Sequence, residues 1–237
     1  AIFGLIKKGA RRWLNIGFVI QPSEIMKIAM PLMLAWYFQK REGIQKTWDY
    51  GVAAIILGLP VFLIARQPDL GTALLVFAAG MYVIILAGLP WKWIVPVIGV
   101  GAFGILLIII FGNTICAHDV VWPLVHNYQK HRVCTLLDPS SDPLGKGFHT
   151  IQSMIAIGSG GFFGKGWFQG TQAHLEFIPE KHTDFVFAVF SEEFGLLGNL
   201  VLIALFFALI KRGLAISASA PNLFTRLLGA SVTLIFF

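Results

Sequence analysis

The sequence has 237 residues, of which 57% are apolar and only 13% are charged, and its mean hydropathy is +0.77. Soluble domains are about 45–50% apolar and about 25% charged, so this chain has too few charges for a soluble surface. The composition therefore excludes an ordinary soluble protein and indicates an integral membrane protein. The net charge of +6 comes without a basic stripe interleaved with aromatic residues, which favours contact with anionic lipid headgroups over nucleic acid.

Apolar segments recur along the chain at lengths suited to a bilayer, which a helix crosses with about 20 residues. They predict an all-α, polytopic transmembrane helix bundle that forms a single membrane domain. The predicted spans are 23–38, 48–65, 72–88, 93–111, 185–210 and 223–237, the last of them truncated. Residues 1–6 are expected to end an earlier span, and 112–183 to form one long extracytoplasmic loop. Because the chain begins without Met and stops in an apolar run, we expect an internal piece of a longer protein.

Loop charges predict the orientation of this bundle. The connections 39–47, 89–92 and 211–226 fall on one side and carry most of the loop lysines and arginines, which the positive-inside rule places in the cytoplasm. The long loop then lies on the opposite side. The basic segment 7–12 lies there too, as an exception. Either the first predicted span is wrong or these cations face an anionic ligand.

The long loop has nearly balanced charge and contains apolar stretches interrupted by glycines, so we expect short amphipathic pieces along the membrane interface. Cys116 and Cys134 lack metal-type spacing and are expected to be free thiols; a disulfide is the alternative in an oxidising compartment. The glycines at 158–161, Gly164 and Gly166 can cradle phosphate through backbone N–H groups or form a flexible loop.

Several ionisable residues lie inside predicted spans, where insertion scales disfavour each of them by ~2.5–3.5 kcal/mol. Glu24 and Lys27 share a helix face and form either a structural ion pair or a phosphate site in which Glu24 orients Lys27. Asp69 either caps the next helix or lines the same outer cavity as Lys27. At least one of Glu192 and Glu193 is expected to face the protein interior, and the two are expected to be structural partners of a basic group on a neighbouring helix.

Asp184 stands where the long loop turns back into the bilayer, beside Lys181 and His182. Its carboxylate can cap the fifth predicted span. It can also take a proton from an incoming hydroxyl, or hold a hard divalent cation that neutralises phosphates. The residues alone leave these three roles open.

Longer motifs in the chain resemble the SEDS family (shape, elongation, division and sporulation), and the resemblance covers essentially the whole sequence. The motifs are GARRWL at 9–14, QPSEIMK at 21–27, QPDLGT at 67–72 and LEFIPEKHTDF at 175–185. The segments 137–145, 152–153 and 157–161 look more like the elongation branch of the family than the division branch.

The resemblance implies a ten-helix protein of the bacterial inner membrane that polymerises lipid II into glycan strands on the extracytoplasmic side during cell elongation. It also implies a class B penicillin-binding protein as transpeptidase partner, together with other membrane proteins of the elongation machinery. The essential acid of the family maps onto Asp184, the Glu–x–x–Lys pair onto Glu24 and Lys27, and the Gln-Pro-Asp turn onto Asp69.

The same chemistry predicts that cations offset the charge of the leaving diphosphate. Lys27, Arg132 and Lys181 are candidates for that role, and His182 joins the predicted substrate-binding set. A divalent cation, Mg or Mn, held by Asp184 would serve the same end, and no organic cofactor is expected. Two other classes stay open: a flippase or transporter of lipid-linked precursors, disfavoured because the sequence shows no broken-helix pair, and a non-catalytic scaffold of the elongation machinery.

Overall fold

The structure is a computed structural model that describes residues 5–7, 10–15, 19–44, 46–67, 69–116, 127–141, 146–174 and 183–236. The chain divides into two compact units. The first comprises Ala1–Ile94 and Phe206–Phe237, and the second comprises Val95–Leu205.

The described residues are predominantly helical. The helices are α1 (Pro22–Arg41), α2 (Thr47–Ala65), α3 (Leu70–Leu86), α4 (Trp91–Ile110), α5 (Gly112–Ile115), α6 (Asn127–Leu137), α7 (Lys146–Ser159), α8 (Thr171–His174), α9 (Val186–Ala218) and α10 (Leu223–Ile235), with a 3-10 turn at Pro139–Ser141. The strands are β1 (Leu5–Lys7), β2 (Ala10–Asn15) and β3 (Val19–Ile20), which pair antiparallel in that order.

Within the described ranges, α2, α4 and α9 are long and apolar enough to cross a membrane, while α3 and α10 are apolar but shorter. Together they make the chain a polytopic helical membrane protein. Two local expectations are wrong. Residues 5–6 belong to a strand rather than to the end of a span, and α9 continues to Ala218, so the predicted loop 211–226 begins eight residues too early (218 − 210).

The core of the first unit forms where α3 packs against α1, α2 and α10. Leu34 and Phe38 of α1, Leu57 of α2 and Val76 of α3 are almost fully buried there. Gly80 lets the helices approach closely, because a Cβ atom at this position would lie 2.5 Å from Leu57 Cδ1. Small residues at contacts are the usual means of packing helices in a membrane, where lipid tails are as apolar as leucine.

In the second unit, α5 and α6 bring Cys116 and Cys134 together, with Cα atoms 5.6 Å apart, and the two cysteines form a disulfide. The expectation of free thiols is therefore wrong, since the helices place both residues within bonding range. Further along, Ala156 of α7 and Ala188 of α9 are buried against Phe185, so the start of α9 rests on α7.

Candidate functional site

Asp184 lies in the turn 183–185 that leads into α9, and it is exposed. The amides of Ala188 and Val189 donate to the carbonyl of Phe185, so Phe185 rather than Asp184 occupies the cap position. The Asp184 carboxylate has no hydrogen-bond or ion-pair partner within the part of the chain that the structure describes. Capping therefore does not account for this acid, whose carboxylate is open to an incoming group.

The residue after Asp184 is anchored. Phe185 packs against Ala156 and Ala188, and its ring centroid lies 6.1 Å from that of His149 on α7. Among the residues that the structure describes, the buried Nδ1 atom of His149 has no hydrogen-bond partner. The backbone of Asp184 is thus held next to a packed aromatic residue while its side chain points outward.

Three other predicted site residues cannot be located at the level of side chains. Lys181 and His182 lie outside the described residues, and so does the side chain of Arg132, whose backbone belongs to α6. Their roles stay predictions. The Cys116–Cys134 disulfide does tie α6, and with it the backbone of Arg132, to the end of α5.

A buried acid lies two helical turns beyond Asp184. Glu192 is fully buried, whereas Glu193 is only partly buried, which confirms that at least one of the two acids faces the protein interior. Lys165 Nζ lies 2.6 Å from Glu192 Oε1, and the amide and hydroxyl of Thr171 donate to the same oxygen at 2.9 and 3.0 Å. The amide of Gln172 donates to both carboxylate oxygens at 3.2 Å. The predicted basic partner therefore exists, but in a loop rather than on a neighbouring helix.

This buried acid sits beside a break in α9. Gly195 has φ 63° and ψ −161°, a conformation that essentially only glycine adopts, and it interrupts the helix. The loop 160–166 pairs with the break: the amides of Leu196 and Leu197 donate to the carbonyls of Gly161 and Phe162 at 2.9 and 3.0 Å. In return, the loop amides at positions 165 and 166 donate to the carbonyls of residues 192 and 193 at 3.0 and 2.9 Å.

The glycines of the loop 160–166 serve that pairing. A Cβ atom at Gly160 would lie 2.2 Å from the carbonyl oxygen of Ser191, and one at Gly164 would lie 2.1 Å from that of Glu193. Because the amides of Gly164, Lys165 and Gly166 are already bonded to main-chain carbonyls, they are not free to cradle a phosphate. Of the two roles predicted for these glycines, the phosphate cradle is not supported. The loop is instead fastened to α9.

The first unit holds the remaining candidates. Lys27 Nζ lies 2.6 Å from Glu24 Oε2, so the predicted pairing on one face of α1 is present. Lys27 also lines a cavity of ≈ 190 Å³ whose other walls include Leu75, Tyr82 and Leu234. A lysine bordering an otherwise apolar cavity is a site where an anionic group gains a charge partner.

Asp69 caps α3, since its side chain accepts from the amide of Thr72 at 3.3 Å. Its other carboxylate oxygen accepts from Gln21 Nε2 at 2.9 Å, and the same nitrogen donates to Ser23 Oγ at 2.9 Å. The structural role considered for Asp69 is therefore confirmed. Gln21, which sequence reasoning missed as a site residue, links this turn to the start of α1.

The predicted divalent cation at Asp184 depends on which other side chains could bind a metal ion. Among the described residues, no three His, Cys, Asp or Glu side chains are grouped so that they could hold a metal ion. Asp184 supplies one carboxylate, and Mg²⁺ commonly binds through one or two carboxylates together with substrate phosphates and water. A metal at Asp184 thus stays a prediction, and the described residues do not form a ligand set for it.

The apolar helices of the described residues and the exposed acid that precedes α9 define a polytopic membrane protein with a candidate site where a polar loop meets a span. Residues 1–237 match the FtsW/RodA/SpoVE family of cell cycle proteins, and the chain belongs to that family, the SEDS family that the motifs indicated.

Individual relatives agree with that assignment. The chain is 50% identical over 238 aligned residues to peptidoglycan glycosyltransferase MrdB of Escherichia coli (strain K12), an alignment that covers 99% of this chain and 60% of MrdB. It resembles, with a TM-score of 0.69 and 35% identity, a chain from work on the structural coordination of polymerization and crosslinking by a peptidoglycan synthase complex, covering 99% of this chain and 61% of that one.

A third likeness is to the rod shape determining protein RodA of Thermus thermophilus, seen in a crystal structure, with a TM-score of 0.56 and 26% identity over 99% of this chain and 56% of that one. The sequence thus spans about three fifths of the length of MrdB and of the chain from the peptidoglycan synthase complex.

Proposed function

We propose that the full-length protein is a peptidoglycan glycosyltransferase that polymerises lipid II into glycan strands, with Asp184 as the base. The observation that carries this proposal is an exposed carboxylate without a partner in the described residues, placed at the mouth of α9 in a chain 50% identical to a protein named peptidoglycan glycosyltransferase. The proposed partner is a class B penicillin-binding protein, and the likeness to a chain of a peptidoglycan synthase complex supports it.

The proposed reaction is a single displacement. A sugar hydroxyl of one lipid-linked molecule attacks the anomeric carbon of another, the new C–O bond forms, and the bond to diphosphate breaks. The hydroxyl proton passes to Asp184, a role that requires a carboxylate within reach of the incoming group. The departing diphosphate requires positive charge, for which Lys27 stays a sequence-based candidate; within the first unit it borders a cavity.

We further propose that this site lies on the extracytoplasmic side of the bacterial inner membrane. The disulfide between Cys116 and Cys134 in the same loop supports that side, because disulfides persist in oxidising compartments such as the bacterial periplasm. A cytoplasmic position for the opposite ends of the spans is supported by Lys40 and Arg41 at the end of α1 and by Lys46 just before α2.

The flippase alternative gains one feature from the structure, since the break in α9 is of the kind found in transporters. The groups that the break would expose are already occupied: the amides of Leu196 and Leu197 and the carbonyls of Glu192 and Glu193 all bond to the loop 160–166. Within the described residues, these four main-chain groups are therefore not available as ligands for a transported molecule, which favours the polymerase.

The test uses the full-length protein in detergent with purified lipid II, and compares wild type, Asp184→Asn and the control Glu42→Gln, which alters an exposed acid after α1. We expect strands from wild type and Glu42→Gln, and at least a hundredfold less product from Asp184→Asn with unchanged folding. Product from Asp184→Asn at the normal rate would refute both roles of the acid.

A second arm adds EDTA: full activity with the chelator favours a base, and loss that Mg²⁺ or Mn²⁺ restores favours a metal ligand. Transfer of labelled lipid II across liposomes without strand formation would instead establish the flippase.

A further inference from the structure

The proposed chemistry leaves one buried ion pair unused. Glu192 is fully buried and Lys165 is 28% exposed, and the pair lies in a predicted membrane-spanning helix and the loop packed on it. Burying two charges carries a desolvation penalty that their attraction often only balances. Intramembrane ionisable residues are correspondingly rare and tend to mark functional positions. Stability of the helix alone therefore does not explain this pair.

The contacts of the pair show what it fastens. Lys165 belongs to the loop 160–166, and the amides of Thr171 and Gln172 at the start of α8 donate to the Glu192 carboxylate. Lys165 Nζ also donates to the Thr171 hydroxyl at 3.0 Å. The Glu192 carboxylate thus binds both the loop 160–166 and the start of α8, and it holds them at one position of α9.

The position of that point along α9 matters. The chain leaves the cluster at Gln172 and returns to α9 at Asp184, in the turn that precedes the first helical residue, Val186. Glu192 lies eight residues beyond Asp184 (192 − 184), which corresponds to about 12 Å along a helix. Both ends of the segment that precedes Asp184 are therefore attached to the same helix, one by Glu192 and one by covalent continuity.

We propose that Glu192 and Lys165 are positioning residues, whose buried ion pair holds the loop 160–166 and the start of α8 against α9 and thereby, through the covalent chain, fixes where the Asp184 carboxylate meets the acceptor hydroxyl. This inference rests on the proposed glycosyltransferase function. The ionised form is needed because two amides, a hydroxyl and an ammonium group all donate to this carboxylate. A glutamine amide would present N–H groups to some of those donors, so the cluster would open.

The experiment compares Glu192→Gln with Glu193→Gln in the full-length protein. Glu193→Gln is a matched control, since the change is the same, the positions are adjacent, and among the described residues the Glu193 side chain has no hydrogen bond or ion pair. Steady-state polymerisation gives kcat and KM. Amide hydrogen exchange is followed at residues 164–172 and 196–197, with α3 as an internal reference.

For Glu192→Gln we expect kcat to fall at least tenfold while KM stays within about threefold. The base is misplaced, but the cluster around Glu192 contains none of the predicted substrate-binding residues. Exchange at 164–172 and 196–197 should rise at least tenfold while α3 is unchanged. Lys165→Met should act in the same direction, and Lys165→Arg, which keeps the charge, should recover kcat to within about threefold of wild type. Glu193→Gln should behave as wild type.

Faster exchange with normal kcat in Glu192→Gln would overturn the positioning role, and so would unchanged exchange. If Glu192→Gln does not fold, Lys165→Met decides, because it leaves Glu192 bonded to the amides of Thr171 and Gln172; normal kcat there overturns the proposal. Activity retained in Asp184→Asn would overturn the proposed function itself, and the positioning role with it. Loss in Asp184→Asn with full kcat in Glu192→Gln would overturn the positioning role alone.

Discussion

Replacing Gly195 with alanine tests whether the break in α9 is built by the loop that seals it. The backbone at this position has φ 63° and ψ −161°, where a side chain is strained by about 1–3 kcal/mol. A Cβ atom would also lie 2.3 Å from the amide nitrogen of Gly164, so the loop must move away. That movement breaks the hydrogen bonds from the amides of Leu196 and Leu197, each of which contributes roughly 0.5–1.5 kcal/mol. We therefore expect Gly195→Ala to destabilise the protein by about 2–6 kcal/mol.

The assay is thermal unfolding of the full-length protein in detergent, where a loss of this size lowers the apparent melting temperature by roughly 10 °C for a protein of this length. The control is Gly101→Ala in α4, since a Cβ atom there has no neighbour within 4 Å. Alanine is the better helix former, so the control should unfold at the wild-type temperature or slightly above it. If Gly195→Ala melts together with the control, the strain and the seal are both refuted.

Other changes test single contacts. Asp69→Ala removes the cap from the amide of Thr72 and should lower stability by about 1 kcal/mol, measured as a downward shift of the melting temperature that Asp69→Asn largely avoids. Reducing the disulfide Cys116–Cys134, whose partners are 18 residues apart, should cost about 3 kcal/mol by the loop-entropy estimate, and an unchanged melting temperature in dithiothreitol would contradict it. Gly80→Ala should destabilise by about 1–3 kcal/mol through overpacking against Leu57, whereas Gly58→Ala, which meets nothing within 4 Å, should not.

Much of the helical framework could be predicted because hydropathy is a local property. The six numbered spans overlap helices, whereas residues 5–6 lie in a strand, and the helix boundaries depend on features that a composition window does not see. α9 runs through Lys211 and Arg212 because long cationic side chains at the end of a span can extend to the headgroup region. The strands were missed, and the disulfide was considered only as the alternative to free thiols, because both depend on pairings between segments that neither segment shows by itself.

In the candidate site, too, the residues that a local pattern marks could be predicted, whereas contacts between distant segments could not. Asp184 was singled out by its place between a polar loop and an apolar run, and its exposure agrees with a reactive role. That at least one of Glu192 and Glu193 faces inward was also predictable, since a charge in a span is costly unless it faces protein, but which of the two does so was not. Lys165, the partner of Glu192, was not predictable either, because the loop lies 27 residues upstream and only the folded chain brings the two together.

Glycines in the loop and the glycine in α9 are two halves of one arrangement, which explains why neither was interpretable alone. In a bilayer every exposed amide and carbonyl must find a partner, so a helix can be broken only where other protein atoms replace its hydrogen bonds. The bulk of a side chain would prevent that replacement, because a Cβ atom at Gly160, Gly164 or Gly195 would lie within 2.3 Å of a main-chain atom. The loop glycines are therefore required for the break in α9, because they let the loop come close enough to replace the missing helical hydrogen bonds. The break turns the carbonyls of Glu192 and Glu193 toward the loop, beside the carboxylate that gathers the start of α8. A phosphate cradle and a flexible linker would both have used these glycines for their freedom, whereas the fold uses them for close contact.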